Sequence, residues 1–176
     1  MGKAANSSIS LKQIHVTDNF WNKYVHLVKD VIIPYQWDIL NDKLEDVETS
    51  HCIENFKIAA GEKEGEFQGA VFQDTDVAKW LEAVGFVLNY ERDEKLEELA
   101  DETIELIGRA QQPDGYLNTY FTIKEPDGRW SNLMEGHELY TAGHMIEAAV
   151  AYYEATGKRR FLEIVSKFAD LVCQTF

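Results

Sequence analysis

Hydrophobic positions recur every three to four residues along most of the chain, and strict alternation is not sustained, so the pattern predicts a mostly helical protein. Asp18 or Asn19 is placed to cap a first helix through about Asn41, with Phe20, Tyr24, Leu27, Val28 and Val31 on one side and Pro34 bending or breaking it. A short helix around Cys52 to Ala60 stops at Gly61. Asp74 or Thr75 opens a third helix to about Tyr90, and Asp93 opens a fourth that reaches Gln111. Between 112 and 136, "QPDGY" and "EPDGR" mark a long structured loop or small hairpin. A fifth helix runs from about His137 to Thr156, closed by Gly157, and a sixth from about Arg160 to the last residue.

Charge is shared unevenly among the last four helices. "TDVAKWLEAVGFVLNY" carries only Asp76, Lys79 and Glu82, whereas "DEKLEELADETIELIGRA" is crowded with acids and sets Leu96, Leu99, Thr103, Leu106 and Ala110 on one stripe. The fifth helix is again nearly free of charge and the sixth again amphipathic, giving the order inner, outer, inner, outer. Repeated inner–outer hairpins build an α/α toroid, in which each hairpin needs neighbours to bury its inner helix. About six helices are about half of such a ring, so the expectation is an all-α chain forming half of an (α/α)6 barrel. The long connectors, about 61 to 74 and 112 to 136, both lead into inner helices, which places a candidate site at that end.

Composition narrows the function. The chain of 176 residues has 45% hydrophobic and 12% aromatic residues, enough for a real core. A net charge of −14 argues against nucleic acid or an anionic membrane as partner and favours a neutral ligand. Residues 1–9 read as a flexible leader before a domain at 10–176. With Asn6 where myristoylation wants Ser or Thr, that modification is not expected. No secretory signal or membrane span is evident, and Cys52 and Cys173 have no zinc or disulfide spacing, so a reduced, cytoplasmic setting is the default.

The candidate chemistry begins with His137 and His144 in "GHELYTAGHMIEAAVAYY". They lie about 20° apart on a helical wheel but ~10.5 Å along the axis, too far to share a metal as i, i+4 histidines do; no metal site is expected. Their stripe, with Tyr140, Thr141, Ala148 and Ala151, suits an enclosed polar cavity, opposite an apolar face of Leu139, Ala142, Ile146, Ala149, Val150 and Tyr153. His137 stands at the site end, and His144, deeper, reads as structural. Asp74 and Asp76 serve as helix caps or pocket acids. Gln36, between Tyr35 and Trp37, has the amide-with-rings character of a sugar contact or the packing of a core helix. "AQQPDGYLNTYF" is foremost a turn whose Tyr116 and Tyr120 are placed to line a mouth. Acids are too numerous for spacing to single out a catalytic pair.

Taken together, "IPYQWDILND", "FQDTDVAKWLEA", "AQQPDGYLNTYF" and "HELYTAGHMIEAAVAYYEATG" resemble, in order and spacing, the N-terminal half of the catalytic domain of glycoside hydrolase family 127, the β-L-arabinofuranosidase family. The resemblance covers about residues 10 to 176. It implies an (α/α)6 barrel followed by β-sandwich domains and removal of non-reducing-end L-arabinofuranose with retention. It also implies a cysteine nucleophile in a zinc site with further cysteines and a glutamate, and a second glutamate as acid/base. Those groups belong to the barrel's second half, so the expectation is no catalytic residue and no cofactor in this chain, with zinc ligands beyond residue 176. By the same resemblance Gln36 and His137 contact the sugar, with Asp74, Asp76, Trp80 and Tyr120 as weaker pocket residues. An L-arabinofuranose-containing glycan is the implied partner, with association through an exposed barrel edge. The chain alone is expected to be inactive. The rival readings are a helical-repeat module binding carbohydrate or protein, and another α/α-toroid enzyme such as an unsaturated-uronide hydrolase or a terpenoid cyclase.

Overall fold

Asp18 opens the first long element because its carboxylate accepts from the free N–H groups of Phe20 and Trp21, at 2.8 and 3.0 Å. In the computed structural model, which describes residues 9–176, a single 3-10 turn (Leu11–Gln13) precedes it. Helix α1 (Asn19–Leu27) then widens into one π turn (Val28–Ile32) and continues as α2 (Ile33–Leu40). Pro34 therefore does not break the helix. It has no N–H to give to the preceding turn, and the wide turn, closed by the Ile33 N–H on the Val28 carbonyl, makes room for its ring. The expected flexible leader falls outside the described residues but for Ile9.

The remaining helices are α3 (Cys52–Ala59), α4 (Asp74–Tyr90), α5 (Glu94–Ala110), α6 (Thr119–Ile123), α7 (Leu133–Gly136), α8 (Glu138–Thr156) and α9 (Arg160–Thr175). The described residues contain no strand, so the segment 112–136 is not a hairpin. It folds into α6, a 3-10 turn (Pro126–Gly128) and α7, with Asn118 and Asn132 side chains capping α6 and α7. Asp93 caps α5 as the sequence predicts, and Gly157 ends α8 with φ of +74°.

The inner pair of helices is α4 and α8, which share the most extensive contact in the molecule, while α5 and α9 lie outside them. That is the two-layer arrangement of an α/α toroid. Val77, Ala78, Leu81 and Val84 of α4 meet Met145, Ala148, Ala149 and Tyr152 of α8 in a fully buried seam. The helices touch backbone to backbone at Gly85, where an added Cβ would stand 2.8 Å from the Ala151 carbonyl carbon. From the outer layer Ile104, Ile107, Phe161, Ile164 and Phe168 complete the core. This packing corrects the expected faces of α8. Leu139, Val150 and Tyr153 are exposed, whereas Thr141, Ala148 and Ala151 of the supposed polar stripe are buried against α4. No helix among the described residues is long and apolar enough to cross a membrane.

Candidate functional site

Helices α2 and α4 enclose a groove of about 340 Å³. Gln36 reaches it from α2, Asp76, Lys79 and Trp80 from α4, and Ser50 from the connection to α3. Trp80 forms its floor: it is buried, stacks on Trp37 with ring centroids 4.5 Å apart, and donates its indole N–H to the Ile33 carbonyl at 3.1 Å. Asp76 accepts from the Gln73 amide at 2.9 Å. Burial raises the Asp76 pKa, and neighbouring Lys79 offsets part of that rise. The groove thus offers an amide, a carboxylate and an ammonium beside a tryptophan wall, a set suited to hydroxyl groups. A larger cavity of about 470 Å³ lies between α1 and α4, but its walls include Trp21, Tyr24, Val28, Phe86 and Val87. Its lysine, Lys29, is already paired with Glu91 at 2.9 Å.

His137 sits at the N-terminus of α8, held in the left-handed region at φ of +53°. Its Nδ1 lies 2.7 Å from the Glu135 carbonyl oxygen. A carbonyl only accepts, so Nδ1 carries the hydrogen and Nε2 of the neutral ring is left as an acceptor. Phe72 and Tyr140 flank the ring, at 5.3 and 5.8 Å between centroids. The Lys79 ammonium, 5.4 Å from the Tyr140 ring centre, links this aromatic cluster to the groove. His144 packs on the other side of Tyr140, at 4.5 Å, so a tyrosine separates the two histidines.

The other predicted pocket residues are engaged by partners away from the groove. Asp74 is not a helix cap: Gln73 occupies the cap position, without a capping side chain. Asp74 is instead buried and accepts from the Thr119 amide at 2.7 Å and hydroxyl at 2.5 Å, tying the long loop to α4. Burial, which those two bonds only partly offset, pushes its pKa up to about 6. Tyr120 packs against Phe67 and Phe121 and donates to Glu125 at 2.8 Å, away from the groove. Tyr116 does not line a mouth, because it is fully buried.

Sequence reasoning passed over the role of Glu138. Its carboxylate is completely buried, accepting from the Tyr116 hydroxyl and, at 2.8 Å, from the Trp130 amide. Trp130 itself has φ of +62°, so Glu138 anchors one end of the segment whose other end presents His137. Burial raises the Glu138 pKa, and the two hydrogen bonds and Arg129 oppose the rise. The one available signal was a carboxylate next to His137 on an almost uncharged helix.

The thiolate zinc set implied by the resemblance does not fit the cysteines of this chain. Cys52 is buried with its Sγ on the Gln73 carbonyl at 3.3 Å, and burial raises its pKa, while Cys173 is exposed on α9.

Residues 13–176 match the family described as Beta-L-arabinofuranosidase, GH127 catalytic domain. The non-reducing end β-L-arabinofuranosidase of Bifidobacterium longum subsp. longum is 41% identical over 179 residues, covering 93% of this chain and 27% of that protein. The chain therefore spans about a quarter of the length of this curated relative. A crystal structure of a GH127 β-L-arabinofuranosidase from Geobacillus stearothermophilus T6 superposes with a TM-score of 0.89 at 64% identity, over 90% of this chain and 25% of that one. A second GH127 β-arabinofuranosidase structure has a TM-score of 0.85 at 36% identity, covering 94% and 26% of the two chains.

Proposed function

The chain belongs to the β-L-arabinofuranosidase GH127 catalytic-domain family, and from that premise we propose that it forms one wall of a pocket for a terminal L-arabinofuranose in a retaining glycosidase. The observation that carries the reading is the polar groove beside Trp80, with Gln36 on its rim and the His137 cluster joined to it through Lys79. In this proposal the Gln36 amide and His137 Nε2 bind sugar hydroxyls, and Asp76 and Lys79 set the polarity around them. A retaining reaction needs a nucleophile and an acid/base about 5 to 5.5 Å apart. We assign both, and the zinc site, to polypeptide outside residues 1–176. The exposed stripe of Phe20, Tyr24, Leu27 and Val31 supports association with further polypeptide along this edge, and the two unpaired cysteines support a reducing, cytoplasmic setting.

The test is saturation-transfer NMR of methyl β-L-arabinofuranoside with the 176-residue protein and its Gln36→Ala and His137→Ala variants. Transfer that is lost in both variants, with circular dichroism unchanged, is expected. Equal transfer to all three proteins, or none to the parent, overturns the pocket assignment. Release of L-arabinose by the purified chain overturns the placement of the catalytic pair. Transfer from unrelated sugars of equal strength would favour a general carbohydrate-binding module instead.

A further inference from the structure

We infer that Glu82, His144 and Glu147 form a binding site for a divalent first-row transition-metal ion, of which Zn²⁺ is the natural probe. The inference rests on geometry and does not depend on the sugar reading above. One donor atom from each of the three side chains lies within 4.8 Å of the other two. Glu82 comes from α4 and the other two from α8, His144 and Glu147 being three apart and so on one face. The backbone contact at Gly85 fixes the spacing of these two helices, so the site spans the most extensive helix contact among the described residues.

The imidazole has a nitrogen that no protein group engages. His144 Nδ1 is a buried nitrogen without a hydrogen-bond partner. Its ring is held nearly perpendicular to Tyr140, at 88°. The nearest acidic oxygen, on Glu147, stands 3.5 Å away, outside hydrogen-bond geometry. Two ligands on one ion, each with a bond of ~2.1 Å, stand roughly 3.0 to 3.4 Å apart, so a small inward movement of Glu147 places both on a common ion. No lysine or arginine among the described residues is ion-paired with either glutamate. Lys79, one turn before Glu82, gives its ammonium to Thr75 at 3.2 Å. The two carboxylates therefore face one imidazole and no competing cation.

A shallow cavity of about 480 Å³, lined by Tyr140, Gly143, His144 and Glu147, brings solvent to two of the three ligands. Three protein ligands leave coordination positions for water there. One imidazole and two carboxylates without thiolate make a nitrogen–oxygen donor set, which suits Zn²⁺ or Mn²⁺. The net charge of −14 favours cation capture. The sequence pairing of His144 with His137 concealed this arrangement, because the third ligand comes from another helix.

The experiment is calorimetric titration of Zn²⁺ into chelator-treated protein carrying Cys173→Ser, which removes the exposed thiol as a competitor. Binding of one equivalent is expected, weakened at least about tenfold by His144→Ala, by Glu82→Gln and by Glu147→Gln. Glu147 has an exposed side chain (64%), so its variant keeps the fold. Mn²⁺ should in turn broaden the NMR resonances of His144 and Glu147 first. Absence of one-equivalent binding overturns the inference. So does binding unchanged in His144→Ala and Glu147→Gln, which would assign the ion to pairs such as His26–Asp30 or His51–Asp42.

Discussion

Asp74→Asn should make the protein less sensitive to pH, because Asp74 is a fully buried carboxylate whose two partners are both donors from Thr119. Its folded-state pKa is about 6, against an ordinary value of 3.8. The folded state thus holds the proton more tightly than the unfolded chain. Its contribution to stability is complete below pH 3.8 and is lost as pH rises through about 6. At about 1.4 kcal/mol per pH unit the gap amounts to about 3 kcal/mol, of which about 2 kcal/mol falls between pH 4.5 and 7. Asparagine keeps the geometry: its oxygen accepts the Thr119 N–H, and its amide donates to the Thr119 hydroxyl, which turns its own hydrogen away. Urea unfolding of parent and variant at half-unit pH intervals should give a difference that grows in the variant's favour from pH 4.5 to 7 and is flat above. A difference that does not change across that range would refute the burial argument, since shared titrations of Asp76 and Glu138 cancel in the comparison.

Other perturbations probe the seam and the loop anchor. Gly85→Ala drives a methyl group into the backbone of Ala151 and Tyr152, at 2.8 and 2.9 Å, and should cost about 1–3 kcal/mol in chemical denaturation. Glu138→Ala leaves the Tyr116 hydroxyl and the Trp130 amide without a partner. It should cost about 3 kcal/mol and speed hydrogen exchange at Trp130, while Glu138→Gln restores part of both. Tyr152→Phe removes bonds to Asp101 and the Glu97 carbonyl, at 2.7 and 3.2 Å, and should lower stability by about 1 kcal/mol in the same assay.

The extents of the longer helices were legible where a boundary is a local event. Asp18 and Asp93 accept from the free amides at helix starts, and Gly61 and Gly157 supply left-handed backbone at helix ends. The inner and outer assignment followed from charge content, a property of whole helices. What was not legible depends on partners distant in sequence. On α8, apolar nearly all round, a wheel has no contrast, and Gly85 on the neighbouring helix decides which face is buried. Asp74 resembled a cap until Thr119, 45 residues on, claimed both its oxygens. Gln36 and Trp80 do share a groove, while Asp74 and Tyr120 are engaged by Thr119 and Glu125 instead, and Glu138 became visible only when its partners came together.

The wide turn before Pro34 also takes up one residue without disturbing the angular phase of the helix after it. A π turn takes up one residue more than an α turn, and each residue of a helix corresponds to about 100° of rotation. Removing one residue between 28 and 32 would return the helix to regular winding with Gln36 still on the groove it now lines and Trp21 and Tyr24 upstream in their places, but would take away the room the wide turn gives the Pro34 ring. The turn thus buffers the α2 wall against a change of length: a one-residue deletion within it is absorbed locally, whereas the same deletion between Pro34 and Gln36 would turn the following side chains by about 100° and exchange those on the groove.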